Sequence, residues 1–138
     1  MNILKVNKDE NTGILLIRIT IAVLILFHGV ANMTSNYGFI KGLLDGIGIP
    51  NFVAYGVFIG EIVAPALIII GWRARLASFV LAFNMLIAIL MNHSADIFSL
   101  TQSGGWGIEL QVLYLFGSIT IFFTGAGKHA LSTSSNWD

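Results

Sequence analysis

The chain has 138 residues, 56% of them hydrophobic and 10% charged, with seven basic and seven acidic side chains and no cysteine. A neutral chain offers no basic face to nucleic acid and no acidic tail, and without cysteine there is no disulfide, iron–sulfur cluster or thiol redox chemistry. Soluble domains carry about 25% charged residues, so this deficit, with a mean hydropathy of +0.84, predicts one integral membrane domain over 1–138.

Residues 1–11 are polar, with Lys5, Lys8, Asp9 and Glu10, and read as an extramembrane tail in which Ile3, Leu4 and Val6 lie on the interface. Thr12 is the expected cap of the first helix. The first span covers 13–32, interrupted by Arg18 and carrying His28 near its far end. It is not expected to be a cleaved signal peptide, because Gly29-Val30-Ala31 is a poor cleavage site and the apolar stretch holds an arginine. Residues 33–51 form a loop closed by Pro50, in which Tyr37, Ile40, Leu44 and Ile47 recur at helical spacing and predict a short amphipathic helix.

The second span, 52–71, has one ionisable group, Glu61, near its centre. A helix of that length rises about 30 Å, the thickness of a bilayer core. A carboxylate at that depth costs roughly 3 kcal/mol or more unless it is paired, protonated or hydrated. Gly56, Gly60 and Ala64 fall at i, i+4 and i+8 and make a small-residue face for close helix approach, the expected contact of a homo-oligomer. Pro65 is expected to kink the helix just after Glu61, and Trp72 is placed as an interfacial anchor.

Gly71-Trp72-Arg73-Ala74-Arg75 is a tight connection to the third span, 76–93, where Asn84, Ala88 and Asn92 share a face. His93 falls on roughly the opposite side from Asn84. A polar loop, 94–107, contains Asp96, Gln102 and Gly104-Gly105; the fourth span, 106–124, opens with Glu109 and Gln111. Glu109 there also complements the helix dipole. Gly125-Ala126-Gly127 ends the helix, and the polar tail 128–138 is expected to be flexible at its end. Four short spans with short connections predict an all-α membrane protein, an antiparallel four-transmembrane-helix bundle.

Lys5, Lys8, Arg73, Arg75 and Lys128 fall on one side of this bundle and Lys41 alone on the other. The excess of basic residues predicts that both termini are cytoplasmic. Depth along each helix, about 1.5 Å per residue, then gathers His28, Asn32, Asn92, His93, Glu109 and Gln111 at the outer end. Glu61 and Asn84 lie near the middle, and Arg18 about a third of the way up. Polar groups in lipid should face one another or water. The expected site is therefore an outward polar cavity lined by His28, Glu61, His93 and Glu109, with Asn84 and Asn92 beside them. Arg18 is the expected partner of Glu61, Asn84 the next candidate; Arg18 has a second reading, snorkelling to the cytoplasmic surface. Glu61 is the candidate proton-transfer group. No metal is expected, because neither H-x-x-x-H nor E-x-x-H spacing occurs.

Taken together, these pieces resemble the DoxX family of small four-helix bacterial membrane proteins. The resemblance rests on Arg18 with Phe27-His28-Gly29, on Gly48-Ile49-Pro50, and on Gly60-Glu61. It continues through Gly71-Trp72-Arg73-Ala74-Arg75-Leu76-Ala77, Glu109-Leu110, and Gly125-Ala126-Gly127 with Leu131-Ser132. It implies a four-span fold in the bacterial inner membrane and an association with respiratory and redox proteins, including thiosulfate–quinone oxidoreductase subunits. The family often has lysine where this chain has Asn32, so no role of that lysine carries over.

Three functions follow as expectations. The first is a redox-associated subunit that binds a quinone or lipid-like ligand in the outward pocket, with Glu61, His28 or Glu109 moving protons. No flavin, nicotinamide, haem or iron–sulfur signature is present, so a redox partner protein would supply electrons. The second is a non-enzymatic membrane scaffold or assembly subunit whose polar groups fix the register of the helices. The third is a small transporter or channel.

Overall fold

The computed structural model describes residues 9–138; Lys5, Lys8 and the interfacial reading of Ile3, Leu4 and Val6 lie outside the described residues. Helix α1 is Glu10–Thr34, α2 is Gly38–Gly46, α3 is Asn51–Ile70, α4 is Ala74–Asn92 and α5 is Glu109–Thr124. By length and composition α1, α3 and α4 can each cross a membrane; α5 is apolar but has only 16 residues. Among the described residues there is no strand, and Leu100 and Trp106 form an isolated bridge in the loop before α5.

The helix ends follow local chemistry. Asp9, not Thr12, caps α1: its carboxylate accepts the Thr12 N–H at 3.1 Å and the Thr12 hydroxyl at 2.6 Å. The cap satisfies orphan donors and moves the helix start three residues before the predicted one. Those bonds from Thr12, its hydroxyl first, hold the Asp9 carboxyl below the usual carboxylate range. The fourth helix starts later than predicted because Trp106 is used in the loop, where its indole N–H donates to the Ile97 carbonyl at 2.6 Å.

α1, α3, α4 and α5 share one apolar core: Ile21, Ala22 and Ile25 meet Ala64 and Ile68, Ala77, Leu81 and Met85, and Tyr114 and Ile121. Small residues bring the backbones close. A Cβ on Gly117 of α5 would meet Ile21 Cδ1 of α1 at 2.6 Å. Ser78 and Ser118 are fully buried, and each hydroxyl donates to a carbonyl of its own helix, Arg75 and Tyr114. Large side chains such as Leu16, Phe27, Phe79, Phe83, Leu113, Phe116 and Phe123 point outward. Large apolar groups on the outside suit a lipid surround, where aliphatic side chains need no burial.

The end of the molecule that carries the start of α1 is closed by the chain after α5. Arg18, 2% exposed, donates to the carbonyls of Ala126 at 2.5 Å, His129 at 2.6 Å and Ile69 at 3.4 Å. Gly71, left-handed at the end of α3, leaves the room: a Cβ there would meet Arg18 Nη1 at 2.8 Å and Ala130 at 2.6 Å. Leu131 and Ser132 donate N–H groups to the Ile70 and Gly71 carbonyls, closing the end of α3.

The tail, expected from its composition to be flexible at its end, is bonded to the start of α4. Asp138 accepts from the Arg73 and Ser135 N–H groups at 3.0 and 2.8 Å and from the Ser132 hydroxyl at 2.7 Å. The Trp137 carbonyl accepts from the Arg75 N–H at 3.0 Å. The start of α4 has no side-chain cap of its own, so its orphan N–H groups give the tail a place to bind.

Candidate functional site

The site begins with a defect in α3. Pro65 has no N–H to donate to the carbonyl of Glu61, four residues earlier. The preceding turn, Ile59–Val63, is widened, and the Ala64 N–H bonds the Ile59 carbonyl five residues back. Such single wide turns recur at functional sites. The sequence predicts a kink after Glu61; the structure puts the irregular turn around Glu61 itself.

Two glycines let neighbouring helices reach this turn. A Cβ on Gly29 of α1 would meet Ile62 Cδ1 at 2.7 Å and the Glu61 carbonyl carbon at 2.8 Å. A Cβ on Gly60 would meet Asn84 Cγ of α4 at 2.6 Å. Of the predicted small-residue face, Gly60 and Ala64 are therefore buried within this chain, and only Gly56 is exposed.

Glu61 is 7% exposed. Its Oε2 accepts from Asn32 Nδ2 at 2.7 Å and its Oε1 from Asn84 Nδ2 at 3.4 Å. One carboxylate thus ties α1, α3 and α4 together. Bonds to a charged group contribute roughly 1.5–3 kcal/mol each, comparable to the insertion cost of the carboxylate itself.

Arg18 does not pair with Glu61, contrary to the sequence-based expectation. Gly29 is the residue of α1 level with Glu61. Arg18 lies eleven residues earlier on the same helix, roughly 16 Å away along the axis, beyond an arginine's reach. The alternative partner, Asn84, is used, together with Asn32, which gives the shorter bond.

Glu61 faces a half-open cavity of about 260 Å³. His28, Asn84, Asn92 and His93 line it with Glu61, as do Asn32, Gln111 and Tyr114; Ile25, Ile40, Met85 and Met91 supply apolar wall. Tyr114 meets His28 edge-on, ring centroids 6.1 Å apart. α2, the helix anticipated between the first two spans, contributes Phe39, Ile40 and Leu43 to the wall. It is held by Tyr37, Leu44 and Ala54, which form a second small core.

Two predicted residues stand apart. Arg18 is at the opposite end, and Glu109 is exposed at the first turn of α5 with its carboxylate against Gly105. His93 and Asn84, expected on opposite faces, both line the cavity. His93 sits past the last helical residue, at φ −119° and ψ 12°, so the 100° step no longer applies to it. Its Nδ1 is 3.3 Å from Asp96 Oδ2, and its Nε2 is 3.1 Å from Asn92 Nδ2 and from Gln111 Nε2. Asn32, Gln111 and Tyr114 were not predicted as site residues. For Asn32 the signal was present, since it follows His28 by four residues on one helix face. Among the described residues no three His, Asp or Glu side chains gather to hold a metal ion.

The model of the family described as DoxX matches residues 13–94, from the start of α1 to just past α4. The chain belongs to the DoxX family. Its membrane character follows from this membership together with the apolar helices. A Haemophilus influenzae protein named "Uncharacterized protein" is 32% identical over 118 residues, which is 83% of this chain and 84% of that relative. A Bacillus subtilis protein named "Putative oxidoreductase CatD" is 27% identical over 125 residues, 91% of this chain and 88% of its own length. No solved structure matches the chain. The DoxX match covers His28, Asn32, Glu61, Asn84, Asn92 and His93, the polar lining that α1, α3, α4 and the end of α4 supply.

Proposed function

We propose that this DoxX member binds the headgroup of a quinone or a similar lipid-like ligand in the Glu61 cavity, as a redox-associated subunit of a bacterial inner membrane. One observation carries the reading: a buried carboxylate faces a cavity with side-chain amides as its hydrogen-bond partners. Such a group is set to accept a hydrogen bond or a proton from a ligand. The cavity, about 260 Å³, is just below the usual size of small-molecule pockets, roughly 300–1,000 Å³. It suits a headgroup whose tail lies in lipid. The name of the Bacillus subtilis relative, an oxidoreductase, agrees with a redox setting. Electrons would come from a partner protein, since this reading gives the chain only ligand binding and proton transfer.

In this reading the chain is one membrane domain. It crosses the bilayer as an antiparallel four-helix bundle with both termini in the cytoplasm, and α5 is the fourth span. The Arg73–Arg75 turn and Lys128 then lie inside and the cavity opens outward. The exposed Gly56 remains the contact available to a second copy.

A second reading has its own support. The Asn32–Glu61–Asn84 network joins three helices, which is what a register-fixing device in a scaffold subunit would do. Lipid mass spectrometry and an optical spectrum of the protein extracted in native lipid separate the two. Bound quinone in the parent and its loss in a folded Glu61→Gln variant support the ligand site; equal lipid content in both favours the scaffold.

A further inference from the structure

We propose that His93 and Asp96 form a second acid–base station of the cavity, and that its ligand is a hydroxyl-bearing, quinol-type headgroup. This rests on the reading of the cavity as a quinone-headgroup site.

The His93 ring has two unlike sides. Nε2 is within 3.1 Å of two side-chain NH₂ groups, those of Asn92 and Gln111. An NH₂ group only donates, so Nε2 carries the lone pair and the hydrogen sits on Nδ1, 3.3 Å from Asp96 Oδ2. Asn92, His93 and Gln111 line the cavity. Asp96 is not among its lining residues, and its side chain is 49% exposed. The imidazole therefore joins an acceptor facing the cavity to a carboxylate in contact with solvent.

Glu61 repeats this arrangement deeper in. Each acceptor is held by two amides, Asn32 and Asn84 on the carboxylate and Asn92 and Gln111 on the imidazole. Asn84 and Asn92 are eight residues apart on α4, roughly 12 Å along its axis. A headgroup with hydroxyls on opposite sides can donate to both acceptors, whereas one with carbonyls alone can donate to neither.

The step balances without a further reactant. A ligand O–H displaces one amide from Nε2; that O–H bond breaks, an Nε2–H bond forms, and the electron pair stays on the ligand oxygen. The Nδ1 proton passes to Asp96 and on to water. One proton has moved from cavity to surface and the ring is left in its other tautomer; the step is reversible, and running it backwards restores the Nδ1–H tautomer and the ligand O–H together. The titratable groups that line the cavity with His93 are His28, Glu61 and Tyr114; Glu109 on α5 has its carboxylate on Gly105, and Tyr37, Lys41, Asp45 and Tyr55 lie on α2 and beside it at the same end. Asn92 and Gln111 are neutral.

The test is nitrogen NMR of the full chain, labelled at histidine and at asparagine amides, in lipid nanodiscs with decylubiquinol or decylubiquinone; His93→Gln assigns the signal. The ligand-free protein is expected to hold the hydrogen on Nδ1 of His93. Decylubiquinol should shift the Nε2 signal, decylubiquinone should not, and His129 should respond to neither. Asp96→Ala should remove the preference for Nδ1–H. A ligand-free Nε2–H form, or a decylubiquinol response at Asn84 with His93 silent, overturns the second station and leaves the cavity reading standing. Silence at both residues overturns the cavity reading and this inference with it. If Asp96→Ala does not fold, the two-probe comparison on the parent decides alone.

Discussion

The Asn32 amide on α1 donates to Glu61 Oε2 on α3 at 2.7 Å, and Asn84 on α4 completes the pair of bonds at 3.4 Å. Removing one donor leaves a buried carboxylate oxygen unsatisfied, which costs roughly 1–3 kcal/mol. Asn32→Leu is expected to destabilise more than Asn84→Leu, because its bond is shorter. Glu61→Gln should be milder than Glu61→Leu, since the amide keeps the shape and one acceptor. Thermal unfolding in one detergent checks the order; Asn84→Leu as the costlier change would show that the longer bond holds the network.

Gly29 and Gly60 make different demands. A Cβ on Gly29 meets the backbone of Glu61, while one on Gly60 meets the side chain of Asn84. Backbone cannot step aside and an asparagine side chain can. Gly29→Ala should therefore cost roughly 1–3 kcal/mol as overpacking. Gly60→Ala should cost less but push Asn84 off Glu61. Unfolding curves for both variants, with amide NMR of Asn84, test this; equal loss of stability would contradict it.

Arg18 should act on the tail rather than on the cavity. Its guanidinium spans the Ala126 and His129 carbonyls, and lysine, a point donor, cannot bridge both. Arg18→Leu should leave buried carbonyls unpaired, at roughly 1–3 kcal/mol each, and Arg18→Lys should fall between it and the parent. Trypsin cleavage after Lys128 is the readout, fastest in Arg18→Leu. Unchanged cleavage would mean that the tail is held by Asp138 without Arg18.

The division between what was legible and what was not runs along these same residues. Hydropathy located the apolar segments, and the lone carboxylate in a twenty-residue apolar run marked Glu61 as the centre. Depth along a helix follows from counting residues, so His28, Asn84, Asn92 and His93 could be gathered at one level. Depth carries no information about rotation or about which helix lies opposite; the Arg18–Glu61 pairing failed on depth itself, since Arg18 lies roughly 16 Å along α1 from the residue level with Glu61, farther than an arginine reaches. The wide turn at Ile59–Val63 has Pro65 as its sequence signal, but the choice between a kink and an extra residue per turn is made by packing against Gly29. The tail gave no signal because serines and an aspartate read as solvated until the uncapped start of α4 is seen beside them.

The tail latch should open in acid. The Ser132 hydroxyl, with the Ser135 and Arg73 N–H groups and the Arg73 charge, holds the Asp138 carboxyl below its usual range against the opposing effect of burial. A group whose folded pKa is depressed contributes stability that is full above the unfolded value, about 3.9, and lost as pH falls through the folded one. Protease sensitivity of the tail should thus be flat from neutral pH to about 5 and rise below about 4, with Asp138→Asn sensitive throughout. A transition between pH 6 and 7 would assign the latch to another group.

The most direct test of the ligand-site account is equilibrium binding of decylubiquinol to the purified protein in nanodiscs, for the parent and for Glu61→Gln, with circular dichroism to confirm that both are folded. Saturable binding in the parent, weakened about tenfold or more in Glu61→Gln, equivalent to about 1.4 kcal/mol, is the expected result. Equal affinity in the two proteins, or no saturable binding to the parent, would contradict it.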